Sequence, residues 1–300
     1  MKNKILLVSI LLISILLITS CKQRDKTLDT KGAFVGGTQG VAASFEPLGV
    51  EEEGVYSIFD TESFPIEVTL QNKGEYDLQP NDVTVELLGP AQSEFNGISS
   101  YVLKNQGVIE KISDLVPTGG EEVVTFGDEV GYTSPVRGLT ERTWFANIDY
   151  NYETIVIVPE VCLKEDLRDT RVCTVQENKQ FSVSGAPIQV SSVIEDTAGK
   201  GIMALKIKIK NVGSGKVAKQ GDNFGVTERL TYSLDDLDWE CKSGGKENEA
   251  RLINKEAEIV CKLKTALPTG TISTKQITLT LEYKYRDIIQ EKLRIKESAN

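Results

Sequence analysis

Apolar and polar residues alternate one by one along much of this chain. Phe64, Ile66, Val68 and Leu70 alternate with Pro65, Glu67 and Thr69, and Val83, Val85 and Leu87 with Thr84 and Glu86. Further on, Leu205, Ile207 and Ile209 alternate with Lys206, Lys208 and Lys210, and Ile277, Leu279 and Leu281 with Thr278 and Thr280. A period of two places apolar side chains on one face of a sheet and polar ones on the other. Turn-forming residues separate the runs, among them Asn72-Lys73-Gly74, Asn96-Gly97, Thr118-Gly119-Gly120 and Lys242-Ser243-Gly244-Gly245. Many short strands spaced in this way predict an all-β chain of β-sandwich architecture. Scattered stretches such as residues 247–255 suit a helix or, equally, a loop.

One stretch breaks the alternation. Lys2 and Lys4 precede an apolar run over residues 5–18, interrupted by Ser9 and Ser14 and followed by Thr19, Ser20 and Cys21. A charged start, an apolar middle and small residues at the end are the parts of a secretory signal. A membrane-crossing helix needs about 20 apolar residues, so this run is short for a span. The terminal Ile18-Thr19-Ser20-Cys21 resembles a lipobox, the prokaryotic site at which a cysteine is lipidated and becomes the new N-terminus. That resemblance implies residues 1–20 as a lipoprotein signal peptide and Cys21 as the lipidation site. A retained anchor helix, allowed by small adjustments of tilt and bilayer thickness, or plain secretion is the alternative. Lys22, Arg24 and Lys26 after the run against Lys2 and Lys4 before it do not decide between them. One acyl chain holds a membrane weakly, so lipid attachment implies at least two. Residues 21–40 are polar and carry four glycines; they read as a flexible tether with a root-mean-square reach of about 25 Å.

Composition narrows the function. Acidic residues outnumber basic ones 44 to 34, and removing Lys2 and Lys4 with the signal makes the mature chain more acidic still. That balance argues against a nucleic-acid partner and against a basic membrane-binding patch. The chain has no histidine, which removes Ser-His-Asp and Cys-His nucleophilic systems and His-ligated zinc. Of five cysteines, Cys21 is the lipid candidate and four remain: Cys162, Cys173, Cys241 and Cys261. They allow three pairings; the domain boundary proposed below favours Cys162 with Cys173 and Cys241 with Cys261. Disulfides persist in an oxidising compartment, in agreement with export. No Cys-x-x-Cys, G-x-S-x-G, Walker or dinucleotide-binding pattern is present.

The two halves resemble each other. IEVTLQNKGEYDL (residues 66–78) and LKIKIKNVGSGKV (residues 205–217) both end a strand in Asn-x-Gly, and ANIDYNYET (146–154) has its counterpart in LTLEYKYRD (279–287). Two anchors in the same order predict a duplicated module with its boundary near Ser182 to Ala186, where Val-Ser-Gly-Ala-Pro interrupts the pattern. Asn and Gly at the strand exit read as residues that accept a positive φ. This strand ending resembles the CARDB and NEW3-like group of extracellular immunoglobulin-like modules of bacterial and archaeal surface proteins. The resemblance implies two tandem immunoglobulin-like sandwiches, residues 41–184 and 185–298, acting as stalk, spacer or adhesive modules without catalysis.

The remaining candidates each have two readings. Asp235, Asp236, Asp238 and Glu240 form the densest acidic cluster; hard oxygen ligands at that spacing suit Ca²⁺, but a solvated loop is the simpler reading, as it is for Glu51, Glu52 and Glu53. Tyr150 with Tyr152, and Tyr283 with Tyr285, each share a sheet face and serve either as a stacking platform or as inter-sheet filling. Trp144 reads as core and Trp239 as core or surface. No catalytic residue, metal ligand or cofactor is assigned. The expectation is an exported, membrane-tethered cell-envelope protein with an envelope protein as partner, facing the periplasm or the exterior. A carbohydrate- or peptide-binding surface lipoprotein is the alternative.

Overall fold

The computed structural model describes residues 32–169, 171–175 and 178–299, and from Ala33 onward these form one compact unit. The signal and Cys21 lie outside the described residues. The strands of the first half are β1 (Val41–Phe45), β2 (Val50–Glu52), β3 (Val55–Phe59), β4 (Ser63–Asn72), β5 (Val83–Leu88), β6 (Phe95–Asn96), β7 (Val102–Lys104), β8 (Glu121–Tyr132) and β9 (Leu139–Lys164). After them come β10 (Ser182–Val183), β11 (Ile188–Gly199), β12 (Ile202–Asn211), β13 (Lys216–Ala218), β14 (Glu228–Leu234) and β15 (Trp239–Ser243). The last four are β16 (Lys246–Glu247), β17 (Glu249–Leu252), β18 (Glu256–Leu263) and β19 (Ile272–Lys296). A 3-10 turn at Gln92–Glu94 is the one helical element among the described residues. None of them forms a helix long and apolar enough to cross a membrane.

The alternating runs are strands, and their apolar members form the core. Phe64, Ile66, Val68 and Leu70 of β4 are buried, as are Val83, Val85 and Leu87 of β5, Leu205, Ile207 and Ile209 of β12, and Ile277, Leu279 and Leu281 of β19. Each such side chain contributes roughly 1.5–3 kcal/mol by leaving water. Residues 247–255 hold β17 and neighbouring turns, with Asn248, Asn254 and Lys255 at positive φ. Their period-two burial, Ala250 and Leu252 inward, resolves the choice between helix and loop in favour of a strand.

Three sheets result. The outer sheets run β1-β4-β8-β6 and β11-β12-β18-β15-β16, and both lie against the tyrosine-bearing face of a continuous sheet that runs β17-β14-β19-β9-β5-β7. Each half therefore supplies one outer sheet and three strands of the shared one. Its middle is the antiparallel pair β9 and β19, matched from Leu139↔Lys296 to Lys164↔Ile272. A strand of 26 residues would extend about 85 Å, several times the usual strand length. Tyr152 lies opposite Tyr283 and Tyr150 opposite Tyr285, so all four tyrosines share one face. The correspondence of Tyr150 with Tyr283 and Tyr152 with Tyr285 makes this register self-complementary, a two-fold relation inside one chain.

Candidate functional site

The tyrosine seam lies where the two-fold relation passes through β9 and β19. Tyr150, Tyr152, Tyr283 and Tyr285 are fully buried, with neighbouring ring centroids 5.5–6.5 Å apart. Every hydroxyl has a partner. Tyr152 donates to Asn72 Oδ1 at 3.1 Å and Tyr285 to Asn211 Oδ1 at 3.2 Å. Val41 N–H meets the Tyr150 hydroxyl, and Tyr283 shares a 3.0 Å bond with Thr154 Oγ1, which also reaches the Ile188 carbonyl at 2.9 Å. Burial drives the Tyr150 and Tyr283 phenols far above their ordinary range and Tyr285 up to about 12, so all stay neutral near pH 7. The seam fills the space between sheets and offers no stacking platform.

Asn-x-Gly builds the same clasp in each half. Asn72 Oδ1 also accepts Gly74 N–H at 3.2 Å while its Nδ2 donates to the Tyr76 carbonyl at 2.7 Å. Asn211 repeats this with Gly213 N–H at 3.1 Å and the Gly215 carbonyl at 2.9 Å. The glycine is needed for a different reason from the positive φ expected of it: neither Asn nor Gly of the two motifs has one. A Cβ on Gly74 would stand 2.1 Å from the Tyr152 hydroxyl, and one on Gly213 2.2 Å from that of Tyr285. The tyrosine occupies the space of the missing side chain.

The two flanks of the seam differ. The pairings Val41↔Asn72 and Ile188↔Asn211 make β1 and β11 counterparts. The segment leading into β11 runs along the edge of β9 as β10, with Ser182↔Ile157 and Val183↔Val156 in antiparallel register. Ser184 N–H then donates to the Ile155 carbonyl at 2.9 Å, and Ile155 N–H to Ser184 Oγ at 2.9 Å. The corresponding lead into β1 does not lie along β19. Instead Val35 N–H and Gly36 N–H donate to the Glu75 carboxylate at 2.8 and 2.9 Å, beside Gly185 N–H at 2.6 Å. What remains on the β19 side is a groove of about 470 Å³ between Gly40–Ala43, Val212–Ser214 and Asp287–Ile289.

The four cysteines form the local pairs, Cys162–Cys173 and Cys241–Cys261, the latter directly opposed on β15 and β18. The first pair is embedded in buried charge that the sequence pattern does not announce. Glu195 accepts Cys162 N–H at 2.7 Å and pairs with Lys179 at 2.8 Å, and buried Lys164 donates to the Cys173 carbonyl. In the acidic cluster Asp235 accepts Thr278 N–H, Asp236 pairs with Lys275 at 2.8 Å, and Glu240 pairs with Lys242 at 2.8 Å. Burial works against the Asp236 charge, yet Lys275 and the Asp238 N–H hold its carboxyl below the usual range. Glu52 pairs with Lys296 at 2.7 Å, and Glu53 sits at positive φ in the β2–β3 turn. Among the described residues no three carboxylates or cysteines gather as a metal site. Trp144 and Trp239 are both buried.

The back of the shared sheet carries a second polar array. Arg286 grips Asp149 with two bonds of 2.5 and 2.7 Å, Lys284 lies 3.3 Å from the same carboxylate, and the Phe224 ring covers both cations. Next to it Glu153 faces Glu282 directly across β9 and β19. Burial, then the Glu282 charge, raises the Glu153 carboxyl, while a hydrogen bond from Tyr76 opposes the shift. No family model and no curated protein sequence matches the chain. Among solved structures, the secreted serine protease VesC from Vibrio cholerae is similar over 81% of this chain at 11% identity with a TM-score of 0.20, and the match spans 50% of that protease's length.

Proposed function

We propose that this chain is a membrane-tethered cell-envelope protein that works by binding or as structure rather than by catalysis. Lipid on Cys21 provides the tether, and residues 41–184 and 185–298 are two immunoglobulin-like modules of the CARDB and NEW3-like kind. The two disulfides support this reading most strongly, because Cys162–Cys173 and Cys241–Cys261 belong to an oxidising compartment. Export is also what residues 1–21 encode. Mass spectrometry of the N-terminal peptide from detergent-extracted membranes tests the tether: a diacyl or triacyl mass on Cys21 is expected. A Cys21→Ser variant that matures and stays with the membrane as the wild type does would refute it. Within the alternative reading, the buried tyrosines count against a sugar platform and the groove beside β1 favours a peptide.

A further inference from the structure

The unequal flanks of the seam identify a strand-docking edge. β19 bonds to β9 along one side. On its other side β13 covers residues 284–286 and β3 covers residues 293–296, which leaves Asp287 to Lys292 without a strand among the described residues. Alternate backbone groups point each way in an antiparallel pair. The Lys296 carbonyl accepts Asp60 N–H on this side while Glu297 N–H turns back to the Gly138 carbonyl on the β9 side, so by alternation Ile288, Gln290 and Lys292 also direct their N–H and C=O groups outward. Two of these N–H groups are met by the carboxylate of the residue before them: Ile288 by Asp287 at 3.2 Å and Lys292 by Glu291 at 2.9 Å. Ile288 is 59% exposed. An isolated edge of this kind is a template for another strand.

The internal repeat shows what fits there. Ile288 corresponds to Ile155, as Tyr285 corresponds to Tyr152. Ile155 is paired in both directions with Ser184, which belongs to the extended Ser182-Val183-Ser184 segment. The half that should supply the matching segment sends Val35 and Gly36 to Glu75 instead. We infer that the β19 edge from Asp287 to Lys292 binds an extended peptide segment of a partner protein, antiparallel to β19, in the place that β10 fills on the other flank. The partner chemistry follows from the edge. A small hydroxyl residue lies against Ile288, as Ser184 lies against Ile155. Basic residues neighbour it, because an incoming strand displaces the Asp287 and Glu291 carboxylates from the N–H groups they cap. Main-chain pairing supplies the affinity and the flanking charges the choice of partner. This names a partner surface for the proposed binding role and rests on that role.

The probe is the natural occupant of the other flank, a synthetic peptide of residues 179–186 (KQFSVSGA), which carries both Lys179 and Ser184. Titrated into the ¹⁵N-labelled full chain in detergent, it should shift the Ile288, Gln290 and Lys292 amides saturably. Ile288→Pro deletes one outward N–H without touching the β9 ladder and should weaken binding at least tenfold. Should that variant fail to fold, Glu291→Lys serves instead and should weaken binding several-fold at low salt. Shifts confined to other residues, or unchanged affinity in the folded variant, would overturn the inference. So would a dimer of the chain that Ile288→Pro dissolves, because the edge would then belong to a second copy. Lipidation of Cys21 is read in a separate experiment, so the two readings fail separately.

Discussion

Asn72 and Asn211 each tie a strand end to the turn that follows it and to a tyrosine of the opposite sheet. Removing one phenol leaves buried partners unmade, which costs about 1–3 kcal/mol. Tyr285→Phe strands Gly215 N–H and takes one of two donors from Asn211 Oδ1, which keeps Gly213 N–H, and urea denaturation should show a loss in that range. The Glu153–Glu282 pair predicts the opposite sign. Burial and a like charge raise the Glu153 carboxyl in the folded state, so the folded chain holds that proton more tightly than the unfolded one. The group is neutral below the unfolded value near 4.5 and becomes unfavourable as pH rises through the raised folded value. Glu153→Gln should therefore stabilise by about 0.2–1 kcal/mol at pH 7, with the gain fading below pH 4, as measured by urea midpoints at both pH values. The alternation that located the tyrosines does not reveal what lies opposite them. That Gly74 and Gly213 make room for a hydroxyl depends on contacts with residues many positions away, and the sequence offers only a turn.

Strands were legible here because one face is buried along most of their length. The bursts of alternation at β4, β5, β12 and β19 coincide with buried Phe64, Val83, Leu205 and Ile277 and their neighbours. The stretch over residues 247–255 was ambiguous because β17 is four residues long, too short for a period to emerge. Pairing was less legible than strand type. The match of β9 with β19 joins residues from the two halves, and neither strand's own pattern names its partner. The disulfides follow the local choice. Cys241–Cys261 closes a separation of 20 residues between adjacent strands, worth roughly 3 kcal/mol in the chain-entropy model. A Cys241→Ser/Cys261→Ser double variant should lose about that much in urea without a change of fold by far-ultraviolet circular dichroism.

The two halves share one sheet, and each outer sheet closes over its own side of a single face. A half on its own would expose the long edge of β9 or β19, with half of the tyrosine cluster open to water. Residues 33–184 and 185–299 expressed separately should therefore associate one to one on mixing, as read by size-exclusion chromatography with light scattering. The duplication was visible in the sequence as two matching anchors; its broken symmetry was not, because it depends on where Val35, Gly36 and Glu75 meet in space. Among the described residues that asymmetry gives one covered flank and one open one, and the inferred partner strand belongs on the open flank. Amide hydrogen exchange compares the two equivalent positions within one sample. Ile155, bonded to Ser184, should exchange at least about 100-fold more slowly than Ile288, capped by its neighbour's carboxylate alone. Equal protection at Ile155 and Ile288 would mean that the β19 edge is already covered, and would contradict the account.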